Sequence, residues 1–409
     1  MRRENSYYHL LAYTLVYFFF NGFLLPEGLL YTTLLTPVML YFLYKNKNIS
    51  PSPAWILLLL IPVPFQLFIG VDMQSYFVSS MLVLSAAIFL YSVAVVLRKY
   101  GPGIPDLFKS VLVVNTLFTG IALLIFPFTP IRDWLWYSVP VSAGVETIPR
   151  LKLFTYEASY YALIMAPVFL FYLFRVMFGK EKHSLIVAMA CIVPLVLSLS
   201  FGVIGALFIA LLITMIFYWK RLPLLFRRVC IYSGMLVIAA IVVTVITWWN
   251  NPVFLRIENI VQGKDTSAMG RLFYSFMFAR ELAAGHSWLF GVGPGQIKIL
   301  AHDLIVNHYH YHGTVAETVR IPNGTAEMLA TYGIYGLALK ISLELWFFFK
   351  KKVFTNLFSF TLFMFLFVYQ FTGSFLVNVA ELAAWALIFT TRFSEFDLLP
   401  RQRGKEAIS

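Results

Sequence analysis

The stretch YFVSSMLVLSAAIFLYSVAVVL, Tyr76 to Leu97, carries no charged residue. It is long enough to cross the roughly 30 Å hydrocarbon core of a bilayer, which takes about 20 helical residues. Backbone groups in lipid must find partners within the segment, so such a run is read as a helix. Eleven further runs of the same kind flank it, at 8–25, 28–44, 54–71, 107–129, 154–175, 184–199, 202–219, 229–249, 326–348, 353–371 and 374–391. The composition agrees: 60% hydrophobic and 18% aromatic residues against 12% charged lie outside the range of a soluble domain. The expected fold class is an all-α polytopic integral membrane protein with about 12 transmembrane helices.

The run at the N-terminus lacks a small-residue cleavage site and is followed at once by more spans, so it is expected to be a retained first helix. The net charge of +12 gathers in the short connections MRR, KNKN (45–48), 98–109, 175–184, 219–228, KKK (350–352) and the tail RQRGK. These all fall on one side, which by the positive-inside rule is the cytoplasm, with both termini there. Topology thus accounts for most of the charge, and no nucleic-acid partner is expected. Cys191 and Cys230 sit in or beside apolar runs, which offers neither a disulfide framework nor a zinc site.

The expected organisation is N-terminal transmembrane helices over 1–128, a first periplasmic loop over 129–153, central helices over 154–249, a large periplasmic loop over 250–325, and C-terminal helices with a cytoplasmic tail over 326–409. Both loops are too polar to be simple connectors, and long loops in compact proteins are usually functional. The larger one is expected to be partly helical, with a helix over 266–285 capped by Thr266 or Ser267 and closed by Gly285.

Arg132, Arg150, Lys152, Arg256, Arg271, Arg280 and Arg320 violate the inside bias by lying on the outer side. A guanidinium fork matches phosphate oxygens and stays charged, so such a cluster suits an anionic lipid; each could instead pair with a nearby acid. Within the large loop, WLFGVGPGQIKIL (288–300) resembles a phosphate-cradling glycine loop. It lacks the preceding strand, the third spaced glycine and the Walker lysine that nucleotide binding requires. Gly291, Gly293 and Gly295 would equally serve a tight turn by permitting positive φ.

Three segments together resemble the O-antigen polymerase and ligase superfamily (Wzy and WaaL types). GRLFYSFMFARELAAGHSWLFGVGPGQ (270–296) is similar to its arginine, amphipathic helix and G-x-G-x-G. IPRLKLFTYEASYYALIMAP (148–167) is similar to its arginine-aromatic-glutamate landmark at a re-entering span. PNGTAEMLATYGIYGLA (322–338) is similar to the landmark closing the long loop. The resemblance implies a GT-C-like architecture and glycan transfer from an undecaprenyl-pyrophosphate carrier on the periplasmic face of a bacterial inner membrane. Its partners would be the undecaprenyl-pyrophosphate-linked glycan, membrane lipids and a polysaccharide chain-length regulator. The donor is already activated, so no cofactor or metal is expected.

Carried over residue by residue, Arg150 and Arg271 hold the pyrophosphate, and Arg280 with Gly291 fits the Arg, ten residues, Gly spacing of polymerases. Lys152, Arg320, Asn323, Gly291 and Gly293 complete the expected pyrophosphate and glycan contacts. Ligases place a histidine before the polar residue of the closing landmark, where this chain has Pro322 before Asn323. That favours an O-antigen polymerase over an O-antigen ligase. A lipid-linked glycan flippase is the alternative from another class. The proton acceptor is expected among Glu157, the histidines His308, His310 and His312 of NHYHYHG, Glu317 and Glu327. On a strand the three histidines would share a face. Trp134, Trp136 and Tyr137 are expected either in an interfacial belt or along an acceptor groove. Lys340 and Glu344 read as a local ion pair, and Glu381 as an intramembrane acid with a polar or functional role.

Overall fold

The computed structural model describes residues 29–45, 60–138, 148–222, 252–309 and 319–398, with isolated positions between 14 and 58 and between 224 and 243. The expected spans at 8–25 and 229–249 lie largely outside the described residues. Elsewhere the chain is helical: α1 (Thr36–Lys45), α2 (Pro62–Ile69), α3 (Met73–Tyr100), α4 (Ile104–Ile125), α5 (Thr129–Leu135), α6 (Ala158–Met177), α7 (Ser184–Leu197) and α8 (Phe201–Tyr218) form the first part. The long loop contributes α9 (Pro252–Val261), α10 (Thr266–Met269), α11 (Ser275–Gly285) and α12 (His302–Tyr309). The chain then closes with α13 (Gly324–Lys350), α14 (Leu357–Tyr369) and α15 (Val379–Thr390). The sole sheet among the described residues pairs β1 (Trp136–Tyr137) antiparallel with β2 (Arg150–Leu151). The all-α polytopic reading therefore stands.

Helix α6 is the axis of the bundle. Its 20 residues rise about 30 Å, the depth of a hydrocarbon core. Two thirds of its apolar window is buried, and α4, α7, α8, α14 and α15 all pack on it. Phe171 sits at 0% exposure among the rings of Phe108, Phe358, Phe393 and Phe396. The outer helices behave oppositely: Phe77 on α3 is 63% exposed and Ile216 on α8 is 77% exposed, as expected of faces that meet lipid. By length and composition, the stretches Met73–Ile125, Ala158–Met177, Phe201–Arg221 and Gly324–Lys350 can cross a membrane.

Three local differences from the sequence reading have physical causes. The connection 98–109 shrinks to a three-residue 3-10 turn, Gly101–Gly103, because Pro102 and Pro105 occupy first-turn positions where no N–H is missed. The α10 cap is Asp265, whose Oδ1 accepts Ala268 N–H at 2.8 Å, rather than Thr266 or Ser267. The span expected from 374 starts only at Val379, so residues 370–378 form an irregular segment between α14 and α15. Ser374 within it holds φ +69. Irregular backbone among apolar helices must be satisfied by its neighbours. Here the N-terminal turn of α13 does this, as Gly324 N–H reaches Gly373 O at 2.9 Å and the Thr325 hydroxyl reaches Gln370 O at 2.9 Å.

Polar side chains secure the same segment. Gln370 bridges Lys340 and Glu344, which are themselves 2.6 Å apart, so that pair ties α13 to α14 rather than acting only along its own helix. Glu381 accepts a hydrogen bond from Ser374 and another from Trp385 Nε1 at 3.3 Å. Its role in the fold is a clamp.

Candidate functional site

At one end of the bundle the N-termini of α6, α8 and α13, the irregular segment and the π turn between α10 and α11 converge on three arginines. Arg150 is placed by the β1–β2 pair, where it sits opposite Tyr137 and stacks on that ring with Cζ 4.9 Å from the centroid. Its Nε is buried and has no hydrogen-bond partner among the described residues. Burial pushes its guanidinium down; Glu157 and Tyr137 oppose that, while Arg256 and Arg271 add to it. Arg150 thus lies within the electric field of two other arginines.

Arg271 lies in the π turn Gly270–Tyr274. A single π turn inside an α-helix shifts the residues after it out of phase and is often found at functional sites. Arg271 Nη2 stands 3.6 Å from Glu157 Oε1, and Glu157 is the N-cap position of α6. On the other side, a Cβ built on Gly202 would lie 4.0 Å from Arg271 Nη1 and 3.9 Å from Thr372 O. The guanidinium therefore rests against the first turn of α8, where backbone N–H groups and the helix dipole favour negative charge. Arg256 is almost fully buried, stacks on Phe201 with Cζ 4.5 Å from the centroid, and holds Asp265 at 3.1 Å.

Asn323 fixes this arrangement. It is 0% exposed, its Oδ1 accepts Thr325 N–H and Ala326 N–H at 3.1 and 2.9 Å, and its Nδ2 donates to Arg271 O at 2.8 Å and Phe371 O at 2.7 Å. Every hydrogen-bonding position of the amide is spent on backbone. The expectation that it contacts glycan is corrected: Asn323 positions Arg271 and the irregular segment.

The glycine loop also requires correction. Gly291, Gly293 and Gly295 adopt φ of +69, +96 and +75. Gly291 N–H donates to Ser287 O, Val292 N–H to Ala330 O and Gly293 N–H to Thr331 O, each at 2.9 Å. In return Ile334 N–H reaches Trp288 O and Tyr335 N–H reaches Leu289 O, across a break in α13 where Gly333 holds φ +66 and ψ −164. A Cβ on Gly291 would meet Ala330 O at 2.5 Å, and one on Gly333 would meet Leu289 C and O at 2.4 Å. Gln66 of α2 completes the clasp, donating to Phe290 O at 2.7 Å and Thr331 O at 3.1 Å while accepting from Tyr76 OH at 2.9 Å. Gln296 joins Asp72 through both backbone groups, at 2.9 and 3.1 Å. The amides of Gly291 and Gly293 are consumed inside the protein, so they hold helices together rather than a pyrophosphate.

The remaining candidates separate. Arg320 is exposed and lies over Phe375 at 5.7 Å. Burial pushes the ammonium of Lys152 down, and the charge of Asp133 opposes that. Arg280 is exposed on α11, nine residues beyond Arg271. Among the described residues no ion pair or hydrogen bond joins it to Arg150, Arg256, Arg271 or their carboxylates. It is not brought to the cluster. His308 is exposed on α12 with its ring 4.4 Å from that of Tyr274, so the strand reading of NHYHYHG fails at this residue. His310, His312 and Glu317 lie outside the described residues. Trp136 is 2% exposed and donates to Ala122 O at 2.9 Å, which removes it from any acceptor groove, and Tyr137 is occupied under Arg150.

Gln66 and Gln296 escaped the sequence reading. Gln66 had a usable signal, since a lone amide in the apolar run 54–71 demands a partner.

Residues 185–341 match a family model described as O-Antigen ligase. No curated protein matches the chain. The matched segment holds Gly202, Arg256, Asp265, Arg271, the glycine clasp, Arg320 and Asn323; Arg150 and Glu157 lie before it. Over that segment, less than half of its length, the chain is similar to the O-antigen ligase family, in keeping with its several helices long and apolar enough to cross a membrane.

Proposed function

We propose that the chain is a glycosyltransferase that polymerises undecaprenyl-pyrophosphate-linked oligosaccharide units on the periplasmic face of a bacterial inner membrane. The observation that carries this reading is the buried Nε of Arg150, without a hydrogen-bond partner among the described residues, in the field of Arg256 and Arg271. Three guanidinium groups share two carboxylates, Glu157 and Asp265, so the site keeps excess positive charge near the first turn of α8. Buried donors without partners are costly, and an incoming pyrophosphate would supply acceptors and opposite charge together. As the glycosidic bond to the carrier breaks, negative charge grows on the leaving oxygens. Preorganised arginines stabilise that charge more than they stabilise the ground state. Glu157 holds Arg271 in the required direction.

The acceptor is proposed to be a second lipid-linked unit, because Pro322 occupies the position where ligases carry histidine. A chain-length regulator is the proposed protein partner. The description of the matched family favours a second reading, transfer to lipid A-core by a ligase. Purified protein incubated with lipid-linked repeat units is expected to yield oligomers, resolved by mass. Transfer to lipid A-core without oligomers would instead establish the ligase, and translocation in proteoliposomes without a new glycosidic bond would establish a transporter.

A further inference from the structure

Proton removal from the acceptor hydroxyl has no assigned group once Glu157 is tied to Arg271. The carboxylates near the site differ in how their oxygens are used. Asp265 caps α10 and holds Arg256, Glu344 is shared by Lys340 and Gln370, and Glu381 receives Ser374 and Trp385. Glu327 is different: its Oε2 accepts Leu376 N–H at 2.7 Å, and among the described residues no hydrogen bond is formed by Oε1.

Its location fits the chemistry. Glu327 stands four residues beyond Asn323, so the two share a face of α13. Asn323 reaches Arg271 O and Phe371 O from that face, and Glu327 reaches the same irregular segment at Leu376. Helical side chains lean toward the N-terminus of their helix, which directs this carboxylate to the end of the bundle where the arginines gather. Glu327 is half-buried, and the ionisable groups that act on it are Arg320, from the segment before α13, and Tyr332, from α13 itself; the irregular segment presents backbone.

We propose that Glu327 is the proton acceptor of the transferase, with Glu157 confined to orienting Arg271. The proposal rests on the glycosyltransferase reading given above. In the step, the acceptor oxygen bonds to the anomeric carbon while the bond from that carbon to the pyrophosphate oxygen breaks. The pyrophosphate leaves with the bonding electron pair, and the hydroxyl proton passes to Glu327.

The test uses the full chain in lipid nanodiscs with lipid-linked repeat units. Glu327→Gln keeps an acceptor for Leu376 N–H and removes the base. It is expected to bind the donor as wild type does, to lose at least about a hundredfold in transfer, and to lose the acid-side fall of the pH–rate profile. The loss should narrow when the acceptor hydroxyl is acidified by a neighbouring fluorine, because such a hydroxyl depends less on a base. Glu327→Asp, which retains a carboxylate, should transfer faster than Glu327→Gln. A Gln variant within about threefold of wild type, an equal loss with both acceptors, or an Asp variant slower than the Gln variant would overturn the role of Glu327 alone. If wild type transfers nothing to any acceptor, the transferase reading itself falls.

Discussion

The long loop between α8 and α13 contributes to both the arginine cluster and the glycine clasp, yet the two use their hydrogen-bond donors in opposite ways. In the clasp, the amides of Gly291, Val292 and Gly293 and the side chain of Gln66 are all engaged with main-chain carbonyls. In the cluster, Arg150 keeps a buried N–H with no acceptor among the described residues, and Arg271 holds its carboxylate at 3.6 Å. A satisfied network rigidifies, while an unsatisfied one leaves capacity for a ligand. The glycines that look like a phosphate loop are therefore scaffolding, and the arginines are the groups proposed to meet an anion.

Substitutions should separate the two regions by what they damage. Gly291→Ala is expected to have the largest effect, because a Cβ would meet backbone at 2.5 Å in a left-handed conformation. Strain and overpacking together cost about 2–6 kcal/mol, read as loss of folded protein in detergent by thermal unfolding. Normal unfolding with selective loss of donor binding would return the loop to the ligand. Arg150→Ala or Arg271→Ala should leave the unfolding temperature near that of wild type and reduce transfer by about 10²–10³, as removal of one oxyanion donor does. Full turnover in either variant would end the arginine assignment.

Gln66→Leu sharpens the contrast at lower cost. It strands Tyr76 OH and two carbonyls, so stability should drop by about 1–3 kcal/mol while donor affinity per folded molecule is unchanged. Glu157→Gln should be milder, since both partners are about a third exposed. A loss of no more than about fivefold in turnover, the equivalent of about 1 kcal/mol, is expected in a kinetic assay. Arg280→Ala should change neither unfolding nor transfer beyond about 0.5 kcal/mol, as for an ordinary surface position. A large loss there would mean that the exposed side of α11 also meets substrate.

Much of the fold was legible in the chain. Residues 158–177 and 201–218 are apolar at a length that admits one structure in lipid, and the positive φ of Leu199 falls where the run read at 184–199 ends. The arginines were legible as an anomaly against the inside bias of basic residues. The site within that loop was less so. Asn323 reads as a polar residue at a loop end, and nothing local says that its amide will be divided between Arg271 O and Phe371 O, carbonyls 52 and 48 residues away. Arg271 and Arg280 look equivalent in sequence, but only Arg271 is brought to Glu157 and the first turn of α8.

By itself, then, the sequence determined the solvent of this protein and the chemistry available to it: long uncharged runs must be helices in a bilayer, and guanidinium groups outside the inside-biased loops must answer to another charge. Only the tertiary structure decided which donors are spent and which remain. That outcome depends on pairings such as Val292 with Ala330 and Gln66 with Thr331, made between segments far apart in the chain. No local spacing records them, because a hydrogen bond is satisfied by whichever acceptor folding brings within about 3 Å.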